Sequence, residues 1–127
     1  MPLADYSAEL PAQKQLIQGY REGGFTIAGV RHAGSVLILP ERTLAWEVTQ
    51  MADLGVASLA PILEAEPAVE ILVLGCGPRS ALVSADLRGA LRARGVTAEP
   101  MDTRAACRTF NLLLAEDRRV AAALIAL

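Results

Sequence analysis

The sequence predicts an α/β fold, and three observations carry that expectation. Residues 70–74 read Glu-Ile-Leu-Val-Leu, a near-continuous apolar run of the kind covered on both faces of a sheet, and the run ends in Gly75-Cys76-Gly77-Pro78. Beyond it the chain alternates strand-like and helix-like periods. Before it lie short β-prone runs punctuated by glycine, with a single short helical stretch.

Each element has a local reason. Residues 1–14 read as a flexible N-terminal tail, polar and weakly patterned between Pro2 and Pro11, and residues 15–127 as a single domain. Leu16, Gln18 and Tyr20 lead into Gly23-Gly24, and Phe25, Ile27 and Val30 precede a turn at Arg31-His32-Ala33-Gly34. Residues 35–39 are then a compact β-prone run stopped by Pro40. These pieces form an N-terminal β-meander, and residues 43–48 add a short extended segment. Ser58 is placed to cap a helix through about Ala65, with Leu59, Ile62 and Leu63 inward and Pro67 beyond its end.

In the second half, Ser80 caps a helix whose Val83, Leu87, Ala90 and Leu91 recur on one face, and Gly95 closes it. Residues 97–101 make the next strand. Thr103 caps a helix whose Ala106, Phe110, Leu113 and Leu114 share a face, and residues 120–127 are a final strand rather than a short helix. The order β-β-β-α-β-α-β-α-β demands a mostly parallel sheet of about five strands with right-handed crossovers, helices on its faces and the early hairpin packed at an edge.

Composition narrows the function. A chain of 127 residues with 53% hydrophobic content can bury a real core as one domain. Twelve basic against 14 acidic residues give a net charge of −2, which supplies no general attraction for phosphate backbones, so no nucleic-acid partner is expected. Cys76 and Cys107 are too few for a disulfide framework, and with His32 as the lone histidine a structural metal is not expected. The N-terminus lacks a basic leader, and the longest apolar stretch, residues 120–127, falls far short of the roughly 20 residues of a spanning helix. A cytoplasmic location without an integral membrane segment follows as the expectation.

The chemistry concentrates at Gly75-Cys76-Gly77. Glycines at a strand-to-helix junction let a ligand approach the backbone, and a helix N-terminus favours an anion. Three departures weigh against it: Ser80 stands where a dinucleotide fingerprint needs glycine or alanine, Pro78 lacks an N–H, and no lysine sits at P-loop spacing. Tight turning and close helix-to-strand packing is therefore the favoured reading of the glycines. Cys76 is a candidate nucleophile by position. His32 lies far along the chain in a predicted turn, however, so an inert, half-buried Cys76 is favoured, and Cys107 reads as packing. Arg79, Arg104 and Arg108 form the minority anion or acidic-partner site, against the commoner reading of solvated arginine stripes. Trp46 and Tyr20 are the aromatic anchors, each more often a core-edge residue than an interface hot spot. Motifs of the H-E-x-x-H and G-x-S-x-G kind are missing from the sequence, and no catalytic residue, cofactor or metal site is assigned.

Several short motifs share an order and spacing. They are Gly23-Gly24-Phe25-x-Ile27-x-Gly29, Gly34-Ser35-Val36-Leu37-Ile38-Leu39-Pro40, Trp46, and Leu72-Val73-Leu74-Gly75-x-Gly77. Glu99-x-Met101-x-Thr103-x-x-Ala106-x-x-Thr109-Phe110-Asn111 and Val120-Ala121-Ala122-Ala123-Leu124-Ile125 complete the set. Together they resemble the domain-of-unknown-function family, of Mth type, that includes mitochondrial complex I assembly factor three and the adipogenesis-associated Mth-type domain protein, over about residues 16–127. Cys76 stands where the family often has threonine and Phe110 where tyrosine is common, which lowers the case for a catalytic thiol. The resemblance implies a three-layer α/β domain with a central mixed sheet whose last strand runs antiparallel to the others. It also implies a role without established catalysis, with protein partners.

The sequence thus predicts a non-enzymatic protein-interaction domain, an assembly or maturation factor whose partner is a membrane-complex subunit or its assembly machinery, with homo-oligomerisation left open. Its candidate surface is Trp46, Gly75, Cys76, Gly77 and Arg79, with Arg104, Arg108 and Asn111 around the same opening. The alternative is a small-ligand or anion-binding protein, or an enzyme, using the Gly75-Cys76-Gly77 loop.

Overall fold

The computed structural model describes residues 14–127, so the expected tail lies, apart from Lys14, outside the described residues. Eight strands fall into two sheets. Strands β1 (Ile17–Arg21), β2 (Gly24–Ile27) and β3 (Val30–Ala33) form an antiparallel sheet in that order. Strands β4 (Val36–Ile38), β5 (Thr43–Ala45), β6 (Ile71–Gly75), β7 (Thr97–Met101) and β8 (Val120–Leu124) form a mixed sheet of order β5-β4-β8-β6-β7. Helices α1 (Ala60–Leu63), α2 (Ala85–Ala93) and α3 (Thr103–Ala115) complete the fold, with 3₁₀ turns at Met51–Asp53 and Ala57–Leu59.

A β-meander is present, but its third strand is residues 30–33; the run at 35–39 expected to complete it joins the main sheet as β4. Residues 31–33 lie within β3, and the chain reverses instead at Glu22-Gly23 and Ala28-Gly29, all four residues with positive φ. Two-residue hairpins need that left-handed pair because its twist matches the strands. Glycine supplies only the second position of each, so Glu22 and Ala28 were silent in the sequence. Nor does the meander pack at an edge: its Ile17, Phe25 and Ile27 share one core with Phe110, Ala106 and Leu114 of α3 and with Val73, Ala122 and Leu124 of the main sheet.

The other face of the main sheet carries a second core, in which α2 contributes Leu87 and Leu91, α1 contributes Ile62, and Trp46, Leu59, Leu72, Leu74, Ala121 and Ala123 pack between them. Strand β8 lies between these cores with every residue buried. Its three alanines keep the central strand thin, so that bulky groups from both layers close on it. The resulting layers are α1 and α2, the mixed sheet, and α3 with the small sheet.

Direction follows from connection. Strands β6, β7 and β8 are joined through α2 and α3 and run parallel, whereas β4 and β5 are joined by a short turn and run antiparallel. The last strand is therefore parallel to β6 and antiparallel only to β4. It is β4 that opposes the other four, which corrects the expectation of an antiparallel last strand.

Helix boundaries also shift. The cap of α2 is Ser84, whose Oγ accepts the Leu87 N–H at 3.2 Å; Ser80 belongs to a loop over residues 76–84. Asp86 in the first turn favours that later start through the helix dipole. Gly95 closes α2 as expected: its N–H reaches the Arg92 carbonyl, and the Val96 N–H reaches that of Leu91. Ser58 caps nothing, because its hydroxyl is folded onto the backbone of Gly55. In α3 the cap is Asp102, accepting the Ala105 N–H at 2.9 Å, and Thr103 becomes the first helical residue.

Candidate functional site

The carboxyl edge of β6 is where an open α/β sheet places ligands. The connection after β6 leads to α2 on one face and that after β7 leads to α3 on the other, leaving a crevice between them. Here the crevice is stitched shut. The Cys76 N–H donates to the Met101 carbonyl at 2.8 Å, and the Thr103 N–H donates to the Gly77 carbonyl at 2.8 Å. The buried Thr103 hydroxyl accepts the Gly77 N–H at 2.9 Å and donates to the Ile125 carbonyl at 2.8 Å. Pro78 has no N–H to offer. The N–H groups of Cys76 and Gly77 thus already have partners within the protein.

Gly75 has a steric reason of its own. A Cβ there would lie 2.9 Å from Leu124 Cδ2 and 3.0 Å from Thr103 Oγ1. Gly77 sits at φ +98, which side-chain-bearing residues rarely adopt. These glycines serve close packing and turning.

Cys76 is buried, with its thiol directed to the Leu74 carbonyl at 3.8 Å. Burial pushes this thiol up, against a smaller lowering by the backbone at Ala81 and Met101. His32 stands on β3 beside Phe25, in the small sheet, whereas Cys76 belongs to the core on the opposite face of the main sheet. No Cys-His pair is formed. Cys107 is pushed up to about 12 by burial, partly offset by Arg108.

The remaining predicted residues separate. Trp46 is only 4% exposed and donates its indole N–H to the Ser58 carbonyl at 2.8 Å, so it belongs to the core and not to the surface. Asn111 clamps β1: its Oδ1 accepts the Ile17 N–H at 2.9 Å and its Nδ2 donates to the Ile17 carbonyl at 2.8 Å. Arg104 is exposed on the first turn of α3, and Arg108 lines a separate hollow with Gln18 and Tyr20. Of the three arginines only Arg79 borders the Gly75 loop region.

What the edge does present, beside those internally bonded groups, is an open groove of about 470 Å³ whose lining includes the predicted Cys76, Gly77 and Arg79 together with Met51, Ala81 and Ile125. Next to it Leu82 is 95% exposed. From the sequence Leu82 falls in a helix, because past Pro78 nothing local marks residues 81–84 as a loop, and Met51 and Ile125 carry no local signal of a site. Among the described residues no group of three or more His, Cys, Asp or Glu could hold a metal ion, and no helix is long and apolar enough to cross a membrane.

Fold and site together define a class, an α/β domain of the Mth938-like kind with a mixed sheet and a small antiparallel sheet on one face. The chain belongs to the family described as a protein of unknown function (DUF498/DUF598), which matches residues 17–125. It is 41% identical over 110 residues to the zebrafish protein named NADH dehydrogenase (ubiquinone) 1 alpha subcomplex assembly factor 3, covering 87% of this chain and 63% of that one. The human protein of that name is 38% identical over 114 residues, 90% of this chain and 62% of that one. This chain therefore spans less than two thirds of the length of these relatives. An uncharacterised Rhodobacter capsulatus protein is 40% identical over 109 residues, covering 86% and 82%. Among solved structures, one described as an outer membrane protein from Bartonella henselae superposes with a TM-score of 0.83 at 34% identity, covering 91% of this chain and 97% of that one. A Bordetella pertussis protein, described as a Mth938-like domain, gives 0.77 at 31%, covering 91% and 87%.

Two outcomes follow. Thr103→Val leaves the Gly77 N–H and the Ile125 carbonyl buried without partners and is expected to lower unfolding free energy by about 2–4 kcal/mol in urea titration, while Thr103→Ser retains most of it. The Cys107 thiol has a folded pKa above its ordinary value of 9.0, so its neutral form favours the native state; that contribution is complete below about pH 9 and is lost as pH rises toward about 12. Stability measured across that alkaline window should fall, and Cys107→Ala should flatten the slope.

Proposed function

We propose that this chain is an assembly factor of the kind its relatives are named for, acting through protein contacts and without turnover. The observation that carries this reading is the pairing of a closed crevice with an exposed anchor. The backbone donors at Gly75-Cys76-Gly77 are internally bonded, while Leu82 projects almost fully into solvent beside an apolar groove. A large side chain at that exposure costs hydration and gains on docking to an apolar partner. In this reading the partner is a subunit of a membrane complex of the NADH dehydrogenase type, or another member of its assembly machinery. The two free, buried cysteines are in keeping with work in the cytoplasm.

The test is genetic and biochemical together. In cells lacking the chain, native gels should show a lowered amount of assembled NADH dehydrogenase complex, restored by the wild type. Leu82→Asp, which touches no core residue, should fold normally by circular dichroism yet restore about tenfold less complex, the loss appropriate to removing one interface anchor. Unchanged complex levels in the deleted cells, or full rescue by Leu82→Asp together with Met51→Asp, would count against it.

A further inference from the structure

A sheet edge is a row of unpaired N–H and C=O groups, which proteins usually blunt. Among the described residues the sheets have four edges, β1 and β3 in the small sheet and β5 and β7 in the main one. Pro100 interrupts β7, and β5 is three residues long. On β1 a bulge lies between Ile17 and Gly19, and the Asn111 amide takes the Ile17 N–H and carbonyl as a neighbouring strand would. Strand β3, four residues long, has neither a proline nor a bulge, and among the described residues no side chain bonds its outer edge; Val30, Arg31 and Ala33 are exposed along it.

The register fixes which groups face outward. The two-residue turn at Ala28-Gly29 makes Ile27 and Val30 a hydrogen-bonded pair, and alternation makes Phe25 and His32 the next. The Gly34 N–H donating to the Gly23 carbonyl at 2.7 Å continues the series. The N–H and carbonyl groups of Arg31 and Ala33 therefore point away from β2, and among the described residues no hydrogen bond reaches them.

This edge is its own complement. Laid antiparallel on a second copy with the two-fold axis at His32, Arg31 exchanges two hydrogen bonds with Ala33 of the second copy, and Ala33 does the same with Arg31. Large then faces small, with Arg31 opposite Ala33 and Val30 opposite Gly34. The Arg31 guanidinium is turned back over Gly24 to the carbonyls of Arg21 at 2.9 Å and Glu22 at 3.0 Å, so its charge is held away from the axis. Val30, 56% exposed, lies on the same sheet face as the buried Phe25 and Ile27, so pairing would extend that apolar face. We propose that β3 is a self-association edge, through which two copies join their small sheets into one six-stranded sheet. The surface is separate from the groove beside Leu82 and stands or falls independently of it.

A contact of one short strand is of the small, transient class, so sedimentation equilibrium between roughly 20 and 500 µM should show a dimer growing with concentration. Ala33→Pro removes an outward N–H and none of the bonds to β2, and should weaken the dimer by about tenfold with an unchanged circular dichroism spectrum. His32→Cys places two thiols in a directly opposed non-hydrogen-bonded pair, with Cα atoms about 4.5 Å apart, and should form a covalent dimer on mild oxidation. Ala33→Cys puts them about 8 Å apart, beyond disulfide reach, and should not. Cys76 and Cys107 are buried, so the wild type is the blank. A monomer throughout the range, the result expected if a strand of a different protein fills the edge, would overturn the proposal. So would a dimer that Ala33→Pro leaves intact, or oxidised His32→Cys that stays monomeric.

Discussion

One buried hydroxyl holds the carboxyl edge of this protein together. Thr103 opens α3, and its oxygen accepts from the end of β6 at Gly77 while donating to the segment just past β8 at Ile125. Three elements far apart in sequence are thereby fixed at one atom. The approach is so close that position 75 cannot carry a side chain, because Leu124 and Thr103 already fill the space. A crevice that in other α/β sheets admits a phosphate is in this one occupied by the protein itself.

The rest of the architecture supports that closure. Alanine at positions 121, 122 and 123 lets the central strand accept close packing from both layers, and two separate cores grip it. Among the described residues no buried side-chain nitrogen or oxygen lacks a hydrogen-bond partner. What is unusual about the described part of the molecule lies on its outside, in the loop over residues 76–84 and along β3.

Much of this was legible in the sequence where a residue type admits few conformations. The apolar run at 71–74 with its glycines, the strand at 97–101, and Gly95 closing a helix each follow from local rules, and each stands in the structure. Ambiguity entered where two residues could do the same work. Ser80 and Ser84 are equal as caps, and Asp102 and Thr103 compete for one position; the winner is set by tertiary contacts that a local pattern does not contain. Trp46 was a candidate as an aromatic anchor and Asn111 as a polar group across the Gly75 opening, yet the fold uses one to fill a core and the other to imitate a strand. The direction of β8 depends on its helical connection, and β4, through its hairpin with β5, is the strand that opposes the others.

The central claim is that the Gly77 N–H is a structural donor held by Thr103 and not a ligand donor. Amide hydrogen exchange at Gly77, followed by NMR with and without millimolar inorganic phosphate, addresses it most directly. The expected result is exchange as slow as that of the β6 core amides and a resonance that phosphate leaves in place. Rapid exchange at Gly77, or a saturable shift of its resonance on adding phosphate, would contradict it.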